Sequence, residues 1–127
     1  MSLVFDPHRF IEFLSHKGEE VLYIDFSNCK TKEETITLLE ASAEYYRKSP
    51  VPLLTLTNAD KAKGSKEFMD LAKKLNKEIF DEKTKKGAII GVQGLKRVLL
   101  QGYNLIAKNK LSPFDTKVEA LDYLVSA

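Results

Sequence analysis

The feature that most constrains the fold is an apolar, β-branched run, Val21–Ser27, followed closely by Thr31–Glu34. Such a run is typical of a buried strand. A Thr and a Glu three residues apart form a capping box, in which both side chains satisfy free backbone N–H groups at the start of a helix. The same succession of strand and helix recurs three more times before the C-terminus. The sequence therefore predicts an α/β fold with a mostly parallel sheet of about five strands and helices packed on it.

Apolar patterning and turn residues set the predicted elements. We expect parallel strands at 20–27, 52–57, 87–92 and 111–114. We expect helices at 32–48 and 94–108, and two more that begin after the caps Ser65 and Thr116. The apolar run 87–92 predicts a central strand that is covered on both faces.

The strand 52–57 alternates in polarity and begins with Pro52, which lacks a backbone N–H, and both features favour an edge position. The predicted order of the parallel strands is therefore 52–57, 20–27, 87–92, 111–114.

Two of the helices are predicted to face the sheet through apolar stripes. The stripe of the helix 94–108 comprises Leu95, Val98, Leu99, Gly102 and Ile106. Glycine costs a helix about 1 kcal/mol, and we expect a close approach to the sheet to explain Gly102. In the final helix the inward residues are Val118, Leu121 and Leu124.

The first 19 residues allow two structures. Asp6 and Pro7, with Gly18 downstream, are signals for the start and the end of a helix. In the alternative, residues 9–15 form a strand that turns at 16–18 into the next strand as a hairpin. Local chemistry slightly favours the helix.

Length and composition indicate one domain, residues 1–127. With 43% hydrophobic and 30% charged residues, the chain is typical of soluble proteins. No apolar run approaches the roughly 20 residues that span a bilayer, and the first residues lack the pattern of a signal peptide. A single cysteine, Cys29, excludes an internal disulfide and fits a reducing compartment. We therefore expect a cytoplasmic protein without a membrane span.

Charge is distributed unevenly along the chain. Residues 1–59 carry 6 Lys and Arg against 9 Asp and Glu, whereas residues 60–127 carry 14 against 9. The lysines of the second half are interspersed with acids and accompanied by few aromatic residues. This pattern is typical of solvated helix faces, so we do not expect nucleic acid as a partner.

Open parallel sheets usually build their sites where the strands reach their carboxyl ends. The polar residues predicted there or in the loop that follows are Asp25, Asn28, Asn58, Asp60, Lys61, Lys63, Ser65 and Gln93. They are candidates for contact with a partner or a ligand.

No residue pattern indicates catalysis, a metal or a cofactor. Asp25 can act as a base, but an Asp that closes the strand–loop turn is the simpler interpretation. Cys29 precedes a helix, which can activate a thiol, yet His8 and His16 are distant in sequence and have no metal-ligand spacing. The segment 91–94 lacks the glycine spacing of a nucleotide loop and reads as a tight turn.

Segments 21–28, 92–100 and 114–124 resemble the SpoIIAA-like group of STAS proteins, over nearly the whole chain from about residue 8. These relatives are linked both to anti-sigma-factor antagonists and to CRAL-TRIO lipid-binding domains. The resemblance implies a fold that opens with an antiparallel strand, which favours the N-terminal hairpin. It also implies a regulatory or protein-binding module that is not an enzyme. The alternative it implies is a carrier of a small apolar or anionic ligand, with a pocket between helices and sheet.

In anti-sigma-factor antagonists, a serine at the start of the second helix after the central strands is phosphorylated. That position corresponds to Ser65. The family's Asp-Ser-Ser-Gly-Leu signature is absent, and the chain reads Lys-Gly-Ser-Lys-Glu over 63–67. We therefore expect Ser65 to be a helix cap and any protein partner to bind constitutively, through Lys61, Lys63 and Lys66.

Overall fold

The computed structural model describes residues 5–126, apart from the side chain of Leu95. The strands in this range are β1 (Ile11–His16), β2 (Glu19–Asp25), β3 (Leu53–Asn58), β4 (Thr84–Ile90) and β5 (Leu111–Phe114). The main helices are α1 (Lys32–Lys48), α2 (Lys66–Leu75), α3 (Leu95–Ile106) and α4 (Lys117–Val125). A π-helical turn (Asn76–Phe80) and a short helical turn (Asp81–Lys83) follow α2. Within the described range, no helix is both long and apolar enough to cross a bilayer.

The N-terminal segment forms the hairpin. Strands β1 and β2 pair antiparallel and turn through Lys17 and Gly18, whose φ angles are 50° and 83°. The helix signal is limited to one 3₁₀ turn, Pro7–Phe10, where Asp6 accepts a hydrogen bond from the backbone N–H of His8. The chain is extended again at the next residue. The local helix signals therefore determine only the 3₁₀ turn, Pro7–Phe10, and pairing with β2 determines the extended structure of β1.

The sheet has the order β1-β2-β3-β4-β5, and all pairs after the first are parallel. The predicted strand order is wrong, because β3 lies between β2 and β4 and not near an edge. Pro52 precedes the strand, so its missing N–H leaves the pairing intact. Thr55 and Thr57 also misled the prediction, since they face covering helices and Thr55 is buried. Strand β4 is central, as predicted.

Alternate residues of the strands form two different faces. One face is covered by α1, α2 and α3, and we call it the cavity face because a cavity, described below, lies between it and these helices. It consists of Leu22, Ile24, Thr55, Thr57 and Ile89. We call the other the α4 face, because α4 is the helix that covers it within residues 5–126. It consists of Val21, Tyr23, Leu54, Leu56, Ala88 and Ile90.

The helix starts agree with the sequence signals. The Thr31 hydroxyl accepts from the backbone N–H of Glu34 at 3.1 Å. The Glu34 carboxylate accepts from the backbone N–H of Lys30 at 2.7 Å. At α4, Thr116 accepts from the N–H of Glu119 at 3.2 Å. Side-chain caps therefore fix where α1 and α4 begin.

The stripe predicted for α3 is wrong in part. The helix packs through Leu100, which is buried, while Val98 is 60% exposed and Ile106 is 49% exposed. A Cβ atom on Gly102 would meet nothing within 4 Å, so no close approach to the sheet explains this glycine. Helix α3 is therefore turned about its own axis relative to the prediction, so that some of its apolar side chains face solvent.

The remaining assignments of inward residues have mixed outcomes. In α4, Leu121 and Leu124 are buried as predicted, but Val118 is 63% exposed. Ala120 is buried in its place. The predicted inward side chain of Leu95 lies outside the described part of the structure.

Candidate functional site

The carboxyl end of β2 brings Asp25 next to Asn58, its partner in the register with β3. The Asp25 carboxylate accepts from the Ser27 N–H at 2.9 Å and from the Ser27 hydroxyl at 2.6 Å. The side chain of Asn28 lies 3.5 Å from its second oxygen. These bonds engage the carboxylate within its own loop, so Asp25 closes the turn after β2.

Asn58 links the sheet to the loop that follows. Its amide donates to the Tyr23 hydroxyl at 3.0 Å, and its side-chain oxygen accepts from the N–H of Asp60 at 3.0 Å. Asn58, Asp60 and the exposed Gln93 line one polar cleft of about 390 Å³. Arg97 and Asp115 also line this cleft. The cleft presents both charge signs and does not favour an anion or a cation.

The loop between β3 and α2 directs its predicted residues to different places. Lys61 is exposed and has a φ angle of 63°. The Ser65 hydroxyl accepts from the backbone N–H of Phe68 at 3.1 Å, so Ser65 caps α2 as predicted. Lys66 contacts Asp70 at 3.1 Å along α2. Lys63 differs from these neighbours, because it lies at the edge of an apolar cavity.

This cavity lies between the cavity face and the helices α1, α2 and α3, and its volume is about 160 Å³. The sheet contributes a floor that includes Ile24, Thr55, Thr57 and Ile89. The helices contribute walls that include Leu39, Phe68, Met69, Ala72, Leu99 and Leu100. Most of this lining is hydrocarbon. Short threonine side chains on the central strand leave room where a leucine would fill the space.

Polar groups at the inner end of the cavity bond to one another. The Tyr103 hydroxyl donates to the Asn76 side-chain oxygen at 2.9 Å, and the Asn76 amide donates to Asp81 at 2.9 Å. The other Asp81 oxygen accepts from the backbone N–H of Asn109 at 3.0 Å. Burial raises the pKa of Tyr46 to about 12 and also raises the pKa of Tyr103. These hydroxyls are therefore neutral at physiological pH.

The cavity reaches the surface at Lys63 and Gly64, which are exposed. Lys96, in the first turn of α3, is half-buried beside the opening and donates to the Ala59 carbonyl at 2.8 Å. A Cβ atom on Gly64 would lie 2.8 Å from the Leu99 side chain, so glycine allows the loop to approach α3. We call this region, from Lys63 and Gly64 to Lys96, the mouth.

Cys29 lies in the loop before α1 and is buried. Burial raises the pKa of its thiol to about 11, and the nearby carboxylates of Glu34 and Asp25 act in the same direction. A thiol with this pKa is protonated at neutral pH and is a poor nucleophile. Over residues 5–126, no three His, Cys, Asp or Glu side chains form a group suited to a metal ion.

The resemblance implied a pocket between helices and sheet, but the sequence did not identify three of the residues that surround the cavity, namely Asn76, Lys96 and Tyr103. One sequence feature could have indicated the cavity. A central strand with threonines at every second position places small, polar side chains beneath the helices that cover that face. Asn76 was a second signal, since it interrupts the apolar stripe that continues α2 towards Ile79. Neither signal shows which helices meet over the threonines.

One solved structure is similar over most of the chain. It is the structure of an uncharacterised protein from the DUF3478 family with a SpoIIAA-like fold, from Shewanella loihica PV-4. The match has a TM-score of 0.69 and 20% sequence identity, and it covers 90% of this chain and 91% of that chain. The chain therefore has the predicted SpoIIAA-like fold. No family model and no curated protein matches it.

Proposed function

We propose that this chain is a non-enzymatic binding module that takes a small apolar ligand into the cavity. The cavity itself is the observation that carries the proposal. Protein interiors have few voids larger than a water molecule, whereas this cavity has a volume of about 160 Å³. Its lining is largely apolar and it opens to the surface at the mouth, so apolar side chains that a packed interior would cover stay accessible. A ligand that covers them explains why the cavity is kept.

The volume limits the size of the ligand. Apolar cavities of roughly 150 Å³ take up benzene. The matching ligand has a single ring or a chain of about six carbons, and not the two long acyl chains of a membrane lipid. Its polar end is expected at the mouth, since the inner polar groups already bond to one another.

Binding without turnover fits the chemistry of the lining. Tyr46 and Tyr103 are neutral at physiological pH, as tyrosines ordinarily are, and burial raises the pKa of both hydroxyls further. Asn76 is engaged by Tyr103 and Asp81. These groups shape and support the cavity, and none of them is poised to take a proton from a ligand.

Titration with hexan-1-ol, followed by NMR chemical shifts, tests this function. We expect shifts for residues around the cavity in the wild type and their loss in Ala72→Leu, whose added carbons occupy the cavity. Ala41→Leu is the matched control, because Ala41 lies on α1 and is not among the lining residues. The proposal fails if hexan-1-ol produces no shifts around the cavity, or if Ala72→Leu binds it as the wild type does.

A second candidate function is protein binding, which the exposed edge of α3 favours. Leu105 is 86% exposed, and Val98 and Ile106 are also largely exposed. Adjacent exposed apolar side chains often mark a contact surface. If a protein partner copurifies with the chain, Leu105→Glu should release it. Val51→Glu, an equally apolar exposed position outside α3, should retain it.

A further inference from the structure

The charged residues that line the cavity are of one sign. Among the described lining residues, Lys63 and Lys96 are charged, and no Asp or Glu accompanies them. Both lysines stand at the mouth and not at the inner end. We infer that the ligand is a short-chain or single-ring carboxylic acid, with its hydrocarbon part in the cavity and its carboxylate on these two lysines. This inference rests on the proposed function and adds the chemical class of the ligand.

Neighbouring lysines are neutralised, whereas the mouth lysines are not. Lys66 lies 3.1 Å from Asp70, and Lys32 lies 3.5 Å from Glu67. In the described part of the chain, neither Lys63 nor Lys96 has a carboxylate within 4.0 Å, and Lys96 donates only to a backbone carbonyl. The mouth therefore retains positive charge that a ligand carboxylate can neutralise.

Lys96 also stands at an electrostatically unfavourable position. The first turn of a helix is positive and favours acidic residues. The first turns of α1, α2 and α4 each contain a glutamate, but the first turn of α3 has no acid and its N-cap makes no side-chain bond. A lysine here adds positive charge to a positive helix end. Residues that locally oppose stability are typical of functional sites. A bound carboxylate would neutralise the excess positive charge at this helix end.

The hydrocarbon lining and the two lysines of the mouth together define the ligand class. An alcohol of the same length fills the cavity equally well, but its oxygen is neutral, so it accepts a hydrogen bond from an ammonium group without forming an ion pair. A carboxylate forms charge-assisted hydrogen bonds with an ammonium group and neutralises its charge. Hexanoate and hexan-1-ol are therefore matched probes, because they have the same number of carbons and differ in the charge of the head group.

The test measures the dissociation constants of both probes by NMR titration in wild type, Lys63→Met and Lys96→Met. Methionine keeps an apolar side chain of similar length. We expect wild type to bind hexanoate about tenfold or more tightly than hexan-1-ol, and each variant to lose most of that difference. Binding of hexan-1-ol should be nearly unchanged. Lys61→Met is the control, since Lys61 is exposed in the same loop but does not line the cavity.

The outcomes separate this inference from the function on which it rests. If hexan-1-ol binds in the cavity and hexanoate binds no more tightly, the ligand is not an acid but the cavity still binds apolar molecules. The inference also fails if both lysine variants retain the wild-type preference for hexanoate, or if Lys61→Met removes it equally. If neither probe shifts the cavity residues, both proposals fail. Circular dichroism of each variant verifies that it is folded.

Discussion

The two faces of the sheet use alternate residues of the same strands, and they are packed differently. In β3, Leu54 and Leu56 lie on the α4 face, while Thr55 and Thr57 lie on the cavity face. A single helix suffices to bury the α4 face, where Leu56 is 0% exposed. Three helices cover the cavity face and still leave about 160 Å³ among them. The number of covering helices therefore does not determine how tightly a face is packed.

The difference shows how one strand can serve both stability and binding. Threonine is β-branched and retains the strand preference of valine and isoleucine, but it is shorter than leucine. Placing it at every second position leaves space on one face without weakening the strand. Leucine at the intervening positions gives the other face its apolar contacts. The α4 face is therefore a packed layer, whereas the cavity face combines its own packed cluster with the proposed site.

The largest expected effect is at the centre of the α4 face. We expect Leu56→Ala to lower the free energy of unfolding by about 2–5 kcal/mol, because it removes buried methyl groups and leaves a cavity in a packed layer. Urea denaturation at neutral pH measures this change. A loss below about 1 kcal/mol would contradict tight packing on this face.

The same truncation on the cavity side should have a smaller effect. Leu99 is half-buried and already borders the cavity. We expect Leu99→Ala to lower the free energy of unfolding by about 1–2 kcal/mol, below the range for fully buried leucines. The same urea experiment gives a direct comparison. A loss equal to that of Leu56→Ala would mean that both faces are packed alike.

A pH dependence should also differ between the faces. Burial raises the pKa of Tyr46, on the cavity side, from 10.0 to about 12. The unfolded chain therefore releases this proton between pH 10 and 12 while the folded chain retains it, and stability falls as pH rises through that window. At pH 11 the loss from Tyr46 is about 1 kcal/mol. Urea midpoints between pH 8 and 11 measure it.

The control for this prediction is the tyrosine on the α4 face. Burial also raises the pKa of Tyr23, while the hydrogen bond from Asn58 opposes the shift. We expect Tyr46→Phe to flatten the decline of stability with pH more than Tyr23→Phe does. If both variants flatten this decline equally, burial raises the pKa of the two hydroxyls by the same amount, which would contradict the prediction.

Features that depend on a few neighbouring residues could be predicted from the sequence. The caps Thr31, Ser65 and Thr116 are confirmed because each needs only its own side chain and an N–H three residues later. The strands were found because apolar β-branched runs are local too. The α/β class followed from their alternation with helices, and the SpoIIAA-like fold from the resemblance.

Features that depend on distant packing could not be predicted in the same way. The predicted position of β3 in the sheet was wrong because the alternation that includes Thr55 and Thr57 resembles that of a strand with one face in solvent. Only the covering helices show that both threonines face the protein interior. The mouth combines Lys63 with Lys96, and the inner end combines Asn76 with Tyr103. These pairs are far apart in sequence, and no spacing rule connects them. A cavity is also defined by what the side chains leave open, which local patterns do not reveal.

The smallest expected effect is at the rim of the α4 face. His16 and Lys17, in the β1–β2 hairpin, contact the exposed Asp122 of α4 at 2.8 and 3.0 Å. The hydrogen bond from His16, and then that from Lys17, lower the pKa of Asp122 below its usual value of 3.8. The carboxylate therefore stabilises the fold above that value, and the contribution is lost as pH falls through the lowered pKa. Solvent screens an exposed contact, so little energy is involved.

Asp122→Asn tests whether this rim contact holds α4 against the hairpin. We expect a small decrease of the urea midpoint at pH 7, which shrinks in high salt because ions screen exposed charges. The difference from wild type should shrink as the pH falls below 3.8 and vanish once the pH is below the lowered pKa of Asp122, where protonation of Asp122 in the wild type removes the same charge. A large midpoint change at pH 7 would mean that polar contacts, and not the buried leucines, hold α4. A difference that persists unchanged at low pH would show that the carboxylate charge is not its source.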